Sequence, residues 1–143
     1  MKKRIAAFLG VMALVFGTLT CFAAEMRASH YFDGYILGMA ARGNGKMVVA
    51  FTTMGTGTMD QIGAYSIRVE EEFTAGEWVT SFTAYGDSDP DTFYSYDTYD
   101  HTGEFTFYGT PGVRYRAVMV SYARNSSGEE YSREITCTAR ECK

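Results

Sequence analysis

Apolar and aromatic residues alternate with polar residues over most of the chain after residue 25, and clusters of Gly, Asn, Asp and Ser separate the alternating stretches. A period of two places successive side chains on opposite faces of an extended strand, whereas a helix repeats its apolar positions every three or four residues. Helical spacing is hard to find here. The pattern therefore predicts an all-β protein.

About seven strands can be placed on this pattern. Residues 46–53 and 113–124 are almost continuously apolar, which is typical of strands buried on both faces. The glycines of residues 54–64 predict an irregular connection between strands. Short strands at this spacing in one domain favour a single antiparallel β-sandwich. The remaining candidate strands are residues 31–41, 64–73, 78–85, 103–109 and 130–139.

The first 24 residues have the pattern of a secretory signal peptide. Basic residues at positions 2–4 precede the apolar stretch 5–16, and Ala23 and Ala24 supply a small-residue cleavage site. The apolar stretch is shorter than the roughly 20 residues that span a bilayer. We therefore expect residues 25–143 to be one domain that does not span the membrane and is secreted or held at the cell surface.

Cys21 offers an alternative form of attachment. A lipid anchor there would need Gly or Ala immediately before the cysteine, and Thr20 stands in that place. Cleavage without lipidation is therefore the preferred prediction.

Charge narrows the class of partner. The chain carries 13 basic and 17 acidic residues, and loss of the three basic residues of the signal peptide would take the net charge from −4 to about −7. Nucleic acids and anionic membranes bind positive surfaces, so the acidic excess argues against both.

Two cysteines, Cys137 and Cys142, follow the predicted signal peptide and lie near the C-terminus. Because secreted proteins meet an oxidising environment, we expect these two to form a disulfide that ties off the tail. A redox pair would show C-x-x-C spacing near a helix start, and a metal site would need further ligands nearby. The sequence supplies neither.

Pro111 and Gly112, then Tyr115 three positions later, begin an alternating strand that ends in a polar hairpin at residues 125–128. In this the segment from Gly103 onward resembles the second half of a fibronectin type III or immunoglobulin-like domain. The resemblance implies a two-sheet sandwich and assigns Tyr115 to the corner between the sheets, where its hydroxyl bonds back to the chain.

Residues 55–64, GTGTMDQIGA, resemble a stretch of small secreted proteins of unknown function from Gram-positive bacteria. This second resemblance implies a bacterial, secreted location and no particular activity.

Residues 87–100, DSDPDTFYSYDTYD, combine five aspartates with four aromatic rings. Asp87, Asp89 and Asp91 alternate like the first ligands of an EF-hand loop. The comparison then fails, because Thr92 stands where that loop needs glycine and Thr98 where it needs a bidentate glutamate. A solvated acidic turn is the preferred interpretation, and a calcium site is the alternative.

The rings of the same stretch suggest a contact surface. If residues 92–99 are extended, Tyr94 and Tyr96 share one face. Two interpretations stay open: outward tyrosines cover an edge strand, or they form a platform that stacks on a sugar or a protein. The binding hypothesis names Tyr94, Tyr96 and Tyr99, with Trp78 as a neighbour.

Catalytic chemistry finds little support. His30 and His101 lie in no recognisable nucleophile arrangement, and we expect both at the surface. The prediction is a secreted, non-catalytic binding or interaction module without a cofactor, whose partner is a protein or a carbohydrate. The alternatives are a calcium-stabilised structural module and a carbohydrate-active enzyme.

Overall fold

The computed structural model describes residues 29–143; the predicted signal peptide and Cys21 lie outside them. The described chain is an antiparallel all-β fold, as predicted. Its elements in chain order are β1 (Phe32–Gly43), β2 (Lys46–Thr74), β3 (Glu77–Tyr85), a 3-10 turn (Gly86–Ser88), α1 (Pro90–Phe93), β4 (Tyr94–Tyr108), β5 (Arg114–Asn125), β6 (Gly128–Tyr131), β7 (Ile135–Thr136) and β8 (Arg140–Glu141).

The long strand β2 holds the sheet together. Its first part pairs with β1 along one edge and with β4 along the other. Its last part pairs with β5 and β3 in the same way. Strands β6, β7 and β8 all pair with β5. All eight described strands therefore belong to one curled sheet, whereas an immunoglobulin-type sandwich has two separate sheets.

The predicted irregular connection at residues 54–64 is part of β2. The pairing of β2 shifts register between Met54 and Met59 opposite β4, and between Ala64 and Ser66 opposite β5. Such bulges add residues to one strand and bend it without ending the ladder of hydrogen bonds. The glycines of this segment mark a bend, and two predicted strands become one.

The two halves of the curled sheet enclose a common core. Phe82 of β3 meets Phe107 and Phe105 of β4, with ring centroids 5.4 and 6.3 Å apart. This arrangement is compatible with a β-sandwich, in which two inner faces fill one core. Buried side chains from both halves form one cluster that includes Leu37, Met39, Met47, Val49, Phe51, Ile67, Val69, Ala117 and Met119.

The predicted Cys137–Cys142 disulfide is absent from the structure. The tail runs antiparallel to β5, so that Cys137 N donates to Ala117 O and Cys142 N donates to Val113 O. These carbonyls are four residues apart, or about 13 Å along extended chain, whereas a disulfide requires Cα atoms within about 7 Å. Both cysteine side chains are buried in the core instead.

No helix among residues 29–143 is long and apolar enough to cross a membrane.

Candidate functional site

Strand β5 defines an outer face of the sheet. Ala117 and Met119 belong to the main core, so every second residue from Arg114 to Arg124 points to the opposite side. Residues paired across neighbouring strands share a face. The register therefore places a row of side chains across the sheet at each of these positions of β5.

One of these rows is aromatic. Gly63 of β2 is paired with Tyr94 of β4 on one side and with Tyr122 of β5 on the other. Because glycine has no side chain, the two rings meet, with centroids 6.0 Å apart. Tyr131 of β6 is paired with Tyr122, and their ring centroids are 5.0 Å apart.

Tyr65 at the bulge in β2 adds a fourth ring, and Tyr85 of β3 adds a fifth. Tyr65 lies between Ala64 and Ser66, where β2 has one residue more than β5. Its ring packs edge-on against Tyr131 at 5.1 Å and against Tyr85 of β3 at 6.2 Å. The rings thus form a continuous series drawn from five strands, here called the tyrosine cluster: Tyr85, Tyr65, Tyr131, Tyr122 and Tyr94.

The two most buried tyrosines of the cluster bond to carboxylates. Tyr94 OH donates to Asp87 Oδ1 at 3.2 Å, and Tyr122 OH donates to Glu129 Oε2 at 2.6 Å. Burial raises the pKa of Tyr94, and the negative charge of Asp87 raises it further. Burial, followed by the hydrogen bond to Glu129, raises the pKa of Tyr122 to about 12. Both phenols therefore keep their protons at neutral pH.

The exposed rim of the cluster lies in a negative field. Tyr131 is 49% exposed, and Tyr85 is exposed to the same extent. Burial raises the pKa of Tyr131, and the nearby charges of Glu129 and Asp87 contribute to the increase. Two carboxylates thus act on one accessible ring.

The neighbouring row is polar. Gln61 of β2 is paired with Tyr96 of β4 and with Arg124 of β5, and Arg124 is paired with Glu129 of β6. Arg124 Nη2 donates to Gln61 Oε1 at 3.4 Å. Tyr96 is 55% exposed. This row extends the aromatic surface and contributes one positive charge beside Glu129.

Charged residues occupy the opposite end of the same face. The two carboxylate oxygens of Glu70 accept hydrogen bonds from Arg116 Nε at 2.6 Å and from Arg68 Nε at 3.1 Å. The guanidinium of Arg116 lies 4.3 Å from the centre of the Trp78 ring. Two further ion pairs of 2.9 Å extend the set. We call these residues the ion-pair ladder: Arg68, Glu70, Glu72, Trp78, Arg114, Arg116 and Glu134.

Burial of Glu70 is compensated by its partners. Burial acts to raise the pKa of Glu70, but the hydrogen bonds from Arg116 and Arg68 outweigh it and hold the pKa below its usual range. Glu70 thus carries a negative charge at neutral pH, and both of its oxygens are occupied.

A buried histidine supports the turn that leads into Tyr94. His101 is only 4% exposed, so the predicted surface position is wrong. Its Nε2 donates to Thr92 O, and its Nδ1 bonds to the hydroxyl of Ser95, both at 2.8 Å. The bond to Thr92 ties β4 to the end of α1, and the bond to Ser95 links two residues of β4. The turn also brings Gly86 against the tip of the Tyr94 ring, where a Cβ would lie 2.6 Å from the hydroxyl.

The predicted contact residues are distributed unevenly. Tyr94 and Tyr96 share a face, as expected, but Tyr94 is buried within the tyrosine cluster. Tyr99 is exposed and lies beyond the positive-φ residue Asp97, which interrupts the alternation. Trp78 lies in the ion-pair ladder beneath Arg116.

The acidic stretch keeps its three alternating aspartates at the surface. Asp87, Asp89 and Asp91 are exposed, and they occupy the 3-10 turn, the residue after it and α1. In the described part of the chain, no group of three or more His, Cys, Asp or Glu side chains is arranged to hold a metal ion.

Tyr115 makes a contact back to the chain. Its hydroxyl accepts a hydrogen bond of 2.8 Å from Thr110 N, five residues upstream. The ring is buried beside Phe107 and Gly109. The contact has the form that the resemblance assigns to this position.

Four members of the tyrosine cluster escaped sequence reasoning: Tyr65, Tyr85, Tyr122 and Tyr131. They are far apart in the chain and share no period, so only the cross-strand register brings them together. The one local signal was the glycine at position 63, directly before the bulge that the strand register shows.

No known protein family matches the chain, and neither does any characterised protein or solved structure. The likeness to fibronectin type III domains rests accordingly on Pro111, Gly112 and Tyr115 and on the antiparallel all-β fold.

Proposed function

We propose that this protein is a secreted, non-catalytic binding module that holds its ligand against the exposed rim of the tyrosine cluster. The observation that carries the proposal is the unbroken series of five rings on a face that the main core does not use. Tyr85 and Tyr131 present about half of their surface to solvent.

The packing of the cluster suits binding. Tyrosine contributes a large, flat contact area at a small entropic cost, because only two side-chain torsions need to be fixed. Here the buried rings of Tyr94 and Tyr122 already restrict their neighbours. A ligand therefore meets a surface whose rings are in place before it arrives, which lowers the cost of association.

The chemistry of the cluster favours binding over catalysis. A tyrosine that acts as a nucleophile or general base must lose its proton near neutral pH. The hydroxyls of Tyr94 and Tyr122 donate to carboxylates and have raised pKa values. Both are therefore suited to structural contacts.

The proposal is tested by screening the purified protein on glycan and protein arrays beside a Tyr85→Ala/Tyr131→Ala variant. We expect the double variant to lose at least about tenfold in affinity for any ligand that binds the cluster, since truncating a central aromatic contact typically costs about 2 kcal/mol. Circular dichroism should show that the variant is folded.

Tyr108→Ala is the matched control. Tyr108 is a more exposed tyrosine, 75% accessible, at the far end of β4. Its removal should leave the array profile unchanged. The proposal is wrong if no array ligand distinguishes the double variant from the unmodified protein, or if Tyr108→Ala reduces binding as strongly.

A further inference from the structure

We infer that the tyrosine cluster recognises an arginine side chain presented by a basic segment of a partner protein. This inference rests on the proposed function and names the partner of the same site. It is drawn from the geometry and charge of two regions on one face of the sheet.

The ion-pair ladder shows how this chain holds one of its own arginines. The guanidinium of Arg116 lies 4.3 Å above the Trp78 ring, and its Nε donates to Glu70 Oε2 at 2.6 Å. An aromatic face attracts the delocalised cation, and a carboxylate fixes its orientation. One ring and one carboxylate side by side are sufficient for this contact.

The tyrosine cluster offers the same two components at its exposed rim. Tyr131 lies at the centre of the series of rings, between Tyr65 and Tyr122. Glu129, two residues away on β6, shares its face, and Asp87 approaches from the turn after β3. Both carboxylates are exposed. A guanidinium placed over Tyr131 would therefore lie close to two negative charges.

The hydrogen-bonding capacity of the cluster also matches a guanidinium. The hydroxyl protons of Tyr94 and Tyr122 are committed to Asp87 and Glu129, so these hydroxyl oxygens remain only as acceptors. A guanidinium carries five N–H donors and no acceptor.

Charge complementarity points to the same partner. Arg124 in the neighbouring row contributes one positive charge against the two carboxylates, which leaves the site negative. The whole chain also carries a net charge of −4. An acidic surface attracts basic segments and repels acidic ones, most strongly at low salt.

The test uses a synthetic peptide in which three arginines alternate with glycine and serine, and a second peptide in which citrulline replaces each arginine. Citrulline keeps the shape of the side chain and removes its charge. Binding is followed by NMR chemical shifts of the tyrosine ring protons. We expect saturable shifts at Tyr65, Tyr85 and Tyr131 with the arginine peptide, and at least about tenfold weaker binding of the citrulline peptide.

Two double variants separate a built site from general attraction. Asp87→Asn/Glu129→Gln removes the carboxylates of the cluster, and we expect it to weaken the arginine peptide at least about tenfold. Asp60→Asn/Glu134→Gln removes two exposed carboxylates elsewhere and should change affinity less than about twofold. The comparison of the two peptides on the unmodified protein does not depend on either variant folding.

Each outcome bears on one of the two proposals. Equal binding of both peptides, or an equal loss in both double variants, would overturn the arginine inference. If the arginine peptide leaves the rings unchanged while an array ligand still requires Tyr85 and Tyr131, the arginine inference is wrong and the binding function stands. If no probe and no array ligand depends on these rings, both are wrong.

Discussion

The ion-pair ladder and the tyrosine cluster lie at opposite ends of one sheet face, yet they leave different capacities for a ligand. In the ladder, Glu70 is bonded by two arginines and Arg116 is stacked on Trp78, so each of these groups has its partner within the chain. In the cluster, the carboxylates of Asp87 and Glu129 accept bonds from neutral tyrosine hydroxyls. The charges of the ladder are thus paired with each other, while the cluster keeps a net negative charge.

The difference also concerns how each region is built. The ladder lies where β2 pairs with β5 in unbroken register from Ser66 to Glu71, and long side chains reach across the sheet. Opposite β3, the same part of β2 shifts register twice, before Glu70 and after Glu72. The cluster lies where β2 bends, next to Gly63 and the Tyr65 bulge, and rings from five strands converge there. The bulge opposite β5 and the missing side chain of Gly63 therefore distinguish the candidate site from the ion-paired surface beside it.

Replacement of Gly63 by alanine should destabilise the fold at the tyrosine cluster. An added Cβ would lie 1.8 Å from Phe93 O, a contact with backbone that no side-chain rotation relieves. We expect a loss of about 3 kcal/mol or more in the free energy of unfolding, measured by urea denaturation. Gly57→Ala is the control, because a Cβ there meets nothing within 4 Å. A similar loss in both variants would contradict the assigned role of Gly63.

Removal of the Glu70 carboxylate should destabilise the fold at the ion-pair ladder. Glu70→Ala leaves Arg68 and Arg116 without their shared partner in a region where the glutamate is 7% exposed. We expect a loss of about 2–3 kcal/mol in urea denaturation, somewhat below the range for fully buried pairs. Glu134→Ala removes an exposed partner of Arg68 and should cost less than about 1 kcal/mol. Equal costs would show that burial of Glu70 does not matter.

As the pH falls, the fold should lose the contribution of His101, beside the cluster, before it loses that of Glu70 in the ladder. Burial lowers the pKa of His101 from its usual 6.5, despite the bond to Thr92 that acts to raise it. A histidine whose folded pKa is depressed stabilises the fold above pH 6.5, and this contribution is lost as the pH falls towards the folded value. Glu70 also has a depressed pKa, so its contribution is lost only below its usual value of 4.5.

The measurement for this prediction is unfolding free energy between about pH 7.5 and about pH 5.5, a range in which histidine titrates and carboxylates do not. We expect stability to fall over this range in the unmodified protein and to change less in His101→Gln. An identical slope in both proteins would show that His101 is not the group responsible.

Pairwise coupling should differ modestly between the two regions. Tyr65 and Tyr131 pack edge to face at 5.1 Å, and a double-mutant cycle to alanine should give a coupling of about 0.5–1.5 kcal/mol. The exposed pair Arg114–Glu72 at 2.9 Å should give about 0.2–1 kcal/mol, and added salt should reduce it. A ring coupling that vanishes, or that salt reduces equally, would remove the distinction between the two ends.

The sequence predicted the fold class because period-two alternation is a local signal. It located β1 and β5 within one or two residues at each end, since glycine and asparagine turns bound both strands. It failed at residues 54–64, where glycines that usually end a strand instead allow β2 to bend. The sequence pattern of a bulge resembles that of a turn, because the two differ only in whether the neighbouring strands continue to pair.

The candidate site was harder to predict for a similar reason. The density of aromatic residues indicates a contact surface at residues 93–99. Tyr94 and Tyr96 share the face that carries the tyrosine cluster. The ring partner Tyr122 and the strand partner Gly63 of Tyr94 lie at least 28 positions away in sequence, on strands whose register no local pattern fixes. The disulfide expectation failed likewise, because proximity in the chain says little about distance once a tail extends along a strand.

The course of β2 through both halves of the sheet has a consequence for how the molecule comes apart. Neither half can unfold without breaking hydrogen bonds of β2, a strand that the other half also uses. Amide protons in the middle of β2 should therefore be the slowest to exchange with deuterated solvent, and the tyrosine cluster and the ion-pair ladder should open in a single concerted event.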